Sequence, residues 1–93
     1  MAHIVFVYPK NDKISYEDVK RVFSAISNNY CTFNMYCWCI NNRSNSKNIR
    51  DALQRTGIFE RVAVFALTGY WASYGLESQI SSWLKSHVEP IDD

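Results

Sequence analysis

The chain opens on a run, Ile4-Val-Phe-Val-Tyr8, that is apolar at every position and rich in β-branched and aromatic residues. Such a run predicts a strand covered on both faces, ended by Pro9, whose missing N–H cannot extend a ladder. A polar loop from Lys10 to Lys13 follows. From Tyr16 the rhythm becomes helical: Tyr16, Val19, Val22, Phe23 and Ile26 fall on one face, and Ser15 with Asp18 three residues on forms a capping box. The spacing predicts a helix over residues 16 to 27, closed by the turn-tolerant Ser27-Asn-Asn29.

From Tyr30 to Ile40 apolar residues alternate imperfectly, with Cys31, Phe33, Met35, Cys37 and Cys39 on one side and Thr32, Asn34, Tyr36, Trp38 and Ile40 on the other. That is strand material, but longer than the roughly 5–6 residues of an average strand. Periodicity leaves open one bent strand or two hinged near Asn34; the expected form is a short strand at 30 to 33 and a longer one at 35 to 41. Asn41 to Asn48 is a polar loop, after which Ser46 or Asn48 caps a short helix carrying Ile49, Ala52 and Leu53, with Gly57 placed to end it. Val62 to Leu67 reads as another strand buried on both faces, broken by Thr68-Gly69. The last element runs from Leu76 to His87, with Leu76, Ile80, Trp83 and Leu84 on one face, Lys85 and His87 in the final turn and Pro90 beyond.

With two strands in the middle, this order gives an α+β domain of ferredoxin-like βαββαβ form: an antiparallel sheet, two helices on one face, and an added C-terminal helix. With one strand, a three-stranded parallel βαβαβα unit competes. Ninety-three residues with 47% hydrophobic content support one domain, residues 1–93, rather than two. The longest apolar runs are far shorter than the roughly 20 residues of a membrane helix, and the N-terminus lacks a signal-peptide pattern. A cytoplasmic protein without a membrane partner is expected.

The formal charge of +1 argues against a strong generic nucleic-acid binder. Its distribution is uneven: residues 1–61 hold nine Lys/Arg and five Asp/Glu, net +4, and residues 62–93 hold one Lys and four acids, net −3. Lys10, Lys13, Arg43, Lys47 and Arg50 are therefore candidate phosphate contacts, helped by free N–H groups at the start of the second helix. Asp51 offsets them, so a solvated surface is the favoured account. Tyr70, Trp71 and Tyr74 crowd the segment after the last strand, where rings anchor a partner or stack on bases; packing against the end of the sheet is favoured over either. Gly69 and Gly75 there suit backbone conformations closed to other residues. Cys31, Cys37 and Cys39 are an odd set expected to be reduced core residues, since a Cys37–Cys39 bridge within one strand is strained. Without paired CxxC elements or clustered His, neither a metal nor a cofactor is expected.

At Ile49-Arg50-Asp51-x-Leu53, and again at Val64-Phe65-Ala66-Leu67-Thr68-Gly69-x-Trp71-Ala72-x-x-Gly75-Leu76, the chain resembles a family of small bacterial and phage proteins called SinR-like. These are relatives of the second CRISPR-associated adaptation protein. The likeness takes in Trp38-Cys-Ile40 and the opening strand, and covers most of the chain; its one specific motif is Leu-Thr-Gly-x-Trp-Ala. The resemblance implies the ferredoxin-like fold shared with the CRISPR adaptation protein and the VapD toxins, dimerisation through the sheets and, in some members, metal-dependent RNA cleavage. In the nuclease relatives an Asp directly follows the Tyr that closes the first strand, and two copies hold a divalent cation. Here Pro9 follows Tyr8, and the nearest carboxylate, Asp12, must fold back to replace the missing ligand. Since Mg²⁺ is normally held by one or two carboxylates, this departure removes the best-placed one. The expectation is a non-catalytic homodimer or protein-binding module in a phage-defence or mobile-element setting. The alternatives are a Mg²⁺-dependent endoribonuclease or toxin with Asp12 as its catalytic residue, and a nucleic-acid binder that does not cleave.

Overall fold

A computed structural model of the chain describes residues 1–68 and 71–88. Its elements are β1 (Ala2–Pro9), α1 (Tyr16–Ile26), β2 (Tyr30–Asn34), β3 (Cys37–Asn41), α2 (Ser46–Arg55), β4 (Phe59–Ala66) and α3 (Ser78–His87). The strands form one sheet in the order β2-β3-β1-β4, and every neighbouring pair is antiparallel. With α1 linking β1 to β2 and α2 linking β3 to β4, this is the ferredoxin-like split βαβ arrangement, α+β, with α3 added at the end.

The middle segment is two strands, and local side chains make the turn between them. Asn34 Oδ1 accepts the Tyr36 N–H at 2.8 Å, an Asx turn that needs neither Gly nor Pro. Thr32 Oγ1 donates to the Cys37 carbonyl at 3.1 Å, and Trp38 Nε1 donates to the Met35 carbonyl at 2.9 Å. These bonds occupy residues 35 and 36, so β3 begins at Cys37 rather than at 35.

The capping box of α1 is present as read: Asp18 N–H donates to Ser15 Oγ at 3.2 Å and Ser15 N–H donates to Asp18 Oδ2 at 2.9 Å. In α2 the cap is Asn45, one position before Ser46, its Oδ1 accepting the Asn48 N–H at 2.8 Å. Gly57, with φ +74°, follows the helix in the left-handed conformation that stops it. The last strand starts at Phe59, three residues before the apolar run at Val62: Phe59 and Arg61 pair with Pro9 and Tyr8, and the exposed Glu60 sits in a bulge between them.

α1 and α2 cover one face of the sheet. Val5, Val7, Trp38, Ile40 and Phe59 meet Val19 and Phe23 of α1 and Ile49 and Leu53 of α2 in a single cluster. Trp38 is its centre, fully buried and stacked on Phe23 with centroids 4.6 Å apart and planes 8° apart. α3 lies on the opposite face, where Ile80, Trp83, Leu84 and Val88 cover Ala2 and Cys39. It spans only that end of the sheet. The expectation that β1 and β4 are buried on both faces is therefore corrected: Phe6, Tyr8 and Phe65 are exposed, because no helix among the described residues lies over them. Likewise, no helix among the described residues is long and apolar enough to cross a membrane.

Candidate functional site

The strand pleat decides which side chains reach this uncovered half. Along β1, Val5 and Val7 point into the α1/α2 core, so Phe6 and Tyr8 point the other way. The register places Ala63 beside Phe6 and Arg61 beside Tyr8 in β4, and Cys37 of β3 on the far side of Phe6. Phe6 and Phe65 meet edge to face at 6.1 Å, and Tyr8 and Tyr36 lie at 5.9 Å. Phe33, at the end of β2, lines an apolar hollow of about 320 Å³ with Ile4, Cys39, Leu67 and Trp71.

Five aromatic side chains thus stand open to water, with exposures of 40% for Phe6, 52% for Tyr8, 38% for Phe33, 48% for Tyr36 and 56% for Phe65. Taking aromatic side chains at 150–250 Å² each, they present about 450 Å² of ring surface. That is within the range of the largest apolar patch on a typical monomer, the kind of patch that marks an interaction site. Arg61 of β4 points this way as well, its guanidinium carbon 5.8 Å from the Tyr8 ring centroid, and Lys10, Asp12 and Glu60 border the patch beside Tyr8 and Tyr36 with offsetting charges. The face is apolar and nearly neutral. Cys37 beneath it is no nucleophile: burial, and secondarily the neighbouring Cys31, push its thiol up to about 11.

The residues singled out from the sequence are dispersed around this face. Trp71 is half-buried, packs beside the α3 cluster and donates from Nε1 to the Val88 carbonyl at 3.2 Å, so it seats α3. Tyr74 is fully exposed, and Tyr70 and Gly69 lie outside the described residues. Lys10 and Arg50 line one groove of about 600 Å³ along β4 together with Arg61 and Glu60, whereas Lys13, Arg43 and Lys47 do not line it. Arg50 is also engaged, its Nη2 lying 2.7 Å from Asp51 Oδ1.

Asp12 sits on the exposed loop after β1, which turns back across the strand end through a Lys10 N–H bond to the Ile58 carbonyl at 2.9 Å. It lines a polar hollow of about 410 Å³ with Tyr8, Pro9, Lys10, Tyr36 and Glu60. Two carboxylates therefore border one hollow, although no group of three or more His, Cys, Asp or Glu among the described residues is placed to hold a metal ion.

No protein-family model, curated protein or solved structure matches the chain. Phe6, Tyr8, Phe33, Tyr36, Phe65 and Arg61 were not singled out from the sequence, and the signal for the first two was there: in Ile4-Val-Phe-Val-Tyr8 both large rings share one parity, opposite to the two valines.

Proposed function

We propose that this chain is a non-catalytic, homodimeric interaction module of ferredoxin-like fold whose two copies meet through the aromatic half of the sheet that α3 leaves open. The observation that carries this reading is the set of five exposed rings on one face of the sheet. Rings from two copies bury about 900 Å² before any flanking residue is counted, close to the roughly 1,000 Å² that separates specific interfaces from incidental contacts. A two-fold axis through the patch sets the same surface against itself, rings against rings. The resemblance to SinR-like proteins supports a cytoplasmic role in phage defence or in a mobile element.

Light scattering across a dilution series from hundreds of micromolar downward tests it. A mass of twice the monomer at the upper end supports the reading; a monomer mass throughout contradicts it.

A second reading, nucleic-acid binding without cleavage, is favoured by Lys10, Arg50 and Arg61 lining one groove beside the Tyr8 ring. Bases stack on aromatic rings and cations neutralise phosphates. Binding to single-stranded RNA or DNA that weakens steeply with salt, and with Arg61→Ala, is what it requires.

A further inference from the structure

The end of the sheet beneath α3 holds a pair of thiols that the site above does not use. Cys31 in β2 and Cys39 in β3 are direct cross-strand partners. In the same register Asn41 N–H donates to the Asn29 carbonyl at 2.9 Å, two residue pairs along, so Cys31 and Cys39 oppose each other at a hydrogen-bonded position. Opposed Cα atoms at such a position lie about 5.5 Å apart, within the roughly 4.4–6.8 Å that a disulfide spans. Both side chains point to the same face of the sheet, toward α3. Cys37, two residues along the same strand, has Phe6 and Asn34 as its partners instead.

From this arrangement we infer that Cys31 and Cys39 are a reversible disulfide site, closed by low-molecular-weight disulfides of the glutathione class and reopened by the corresponding thiols. The two thiols differ in access. Cys31 is partly exposed and lines a hollow of about 340 Å³ at the outer edge of β2, with Lys20, Glu77 and Gln79, while Cys39 is buried under α3. The neighbouring Cys39 thiol holds the Cys31 thiol below its ordinary range, and Cys31 in turn, with burial, pushes Cys39 up. Cys31 is therefore the sulfur that reacts first.

Its thiolate attacks one sulfur of the small disulfide, forming a mixed disulfide and expelling one small thiolate. Cys39 then attacks Cys31 Sγ, its proton passing to the second small thiolate as that leaves. Two protein thiols are oxidised and one small disulfide is reduced to two thiols, so electrons and protons balance. The bond ties the edge strand β2 to β3 beneath α3, at the end of the sheet away from Tyr8 and Tyr36, and it is independent of the homodimer reading.

The test treats the folded protein with glutathione disulfide, then unfolds it in denaturant containing an alkylating agent so that every remaining thiol is blocked, and weighs the intact chain. No Lys or Arg separates Cys31 from Cys39, so the map uses chymotrypsin, which cuts after Phe33, Tyr36 and Trp38 and so places the three cysteines on three peptides. One alkylated cysteine, Cys37, and a linked peptide joining Cys31 to Cys39 are expected, with full reversal by reduced glutathione. Cys37→Ser is expected to close the same bond and Cys31→Ser to close none. Three alkylated cysteines, a stable glutathione adduct on Cys31, or a linkage through Cys37 in the wild-type map would each overturn the assignment, and the wild-type map decides even where a variant does not fold.

Discussion

The ring of Phe65 in β4 meets the ring of Phe6 in β1 edge to face, with centroids 6.1 Å apart and planes at 78°, on a face that no helix among the described residues covers. Both rings keep about half their surface in water, so their contact with each other leaves that half uncovered. Phe65→Glu is expected to weaken self-association by about 2 kcal/mol or more, roughly 30-fold, as for a central interface aromatic. The monomer's stability is expected to fall by less, about 1 kcal/mol, for the lost edge-to-face pair with Phe6. Sedimentation velocity beside a urea melt separates the two effects, and equal loss in both would assign Phe65 to folding rather than to an interface.

Phe23 lies flat against Trp38, and both are fully buried at the point where α1 meets the sheet. Phe23→Ala is expected to cost about 3–5 kcal/mol, the transfer and cavity terms together. Tyr16 also stacks on Trp38, at 5.8 Å, but keeps 39% of its surface exposed. Its loss is expected to cost clearly less. Urea midpoints at unchanged slope check the order.

His3 gives the fold a pH dependence. It is fully buried, neither ring nitrogen has a hydrogen-bond partner, and burial, with the nearby ammonium of Met1 second, lowers its pKa below 6.5. The folded chain holds this imidazole neutral, while the unfolded chain takes up a proton near pH 6.5, so below that pH the unfolded state binds more protons. Stability is therefore full above about pH 6.5 and falls as the pH drops toward the lowered folded-state value. Urea melts at pH 7 and pH 5 are expected to show this loss in the wild type and a smaller one in His3→Leu; identical losses in the two would place the acid sensitivity elsewhere.

Much of this fold is written locally and some of it is not. The helical rhythm of Val19 and Phe23 and the Ser15–Asp18 box are short-range features, and they appear where the sequence puts them. The division of residues 30–41 into two strands depends on the Asn34 side chain replacing a backbone turn, which leaves no Gly or Pro to read. The start of β4 is hidden because Glu60 and Arg61 are polar, yet Arg61 belongs to the ladder opposite Tyr8. A continuous apolar strand also does not say which of its faces is covered. That is settled by where α3 lands, some seventy positions after β1, and this is why the open aromatic face was not legible while the fold class was.

Asp12 decides between the proposed role and the metal-dependent alternative. It shares a polar hollow with Glu60 at the end of β1, on an exposed loop. A non-catalytic module is expected to leave RNA intact with Mg²⁺ or Mn²⁺ present. Cleavage by the wild type that Asp12→Asn abolishes, read on a denaturing gel, would instead establish a nuclease.

Contact across the open sheet face is seen most directly in a mixed sample of isotope-labelled and unlabelled chains, by NMR filtered for signals that pass between copies. The account predicts cross-signals from the rings of Phe6, Tyr8, Tyr36 and Phe65 in one copy to the same group in the other. A dimer whose cross-signals arise only from α1 and α2, or no cross-signals at millimolar concentration, would contradict it.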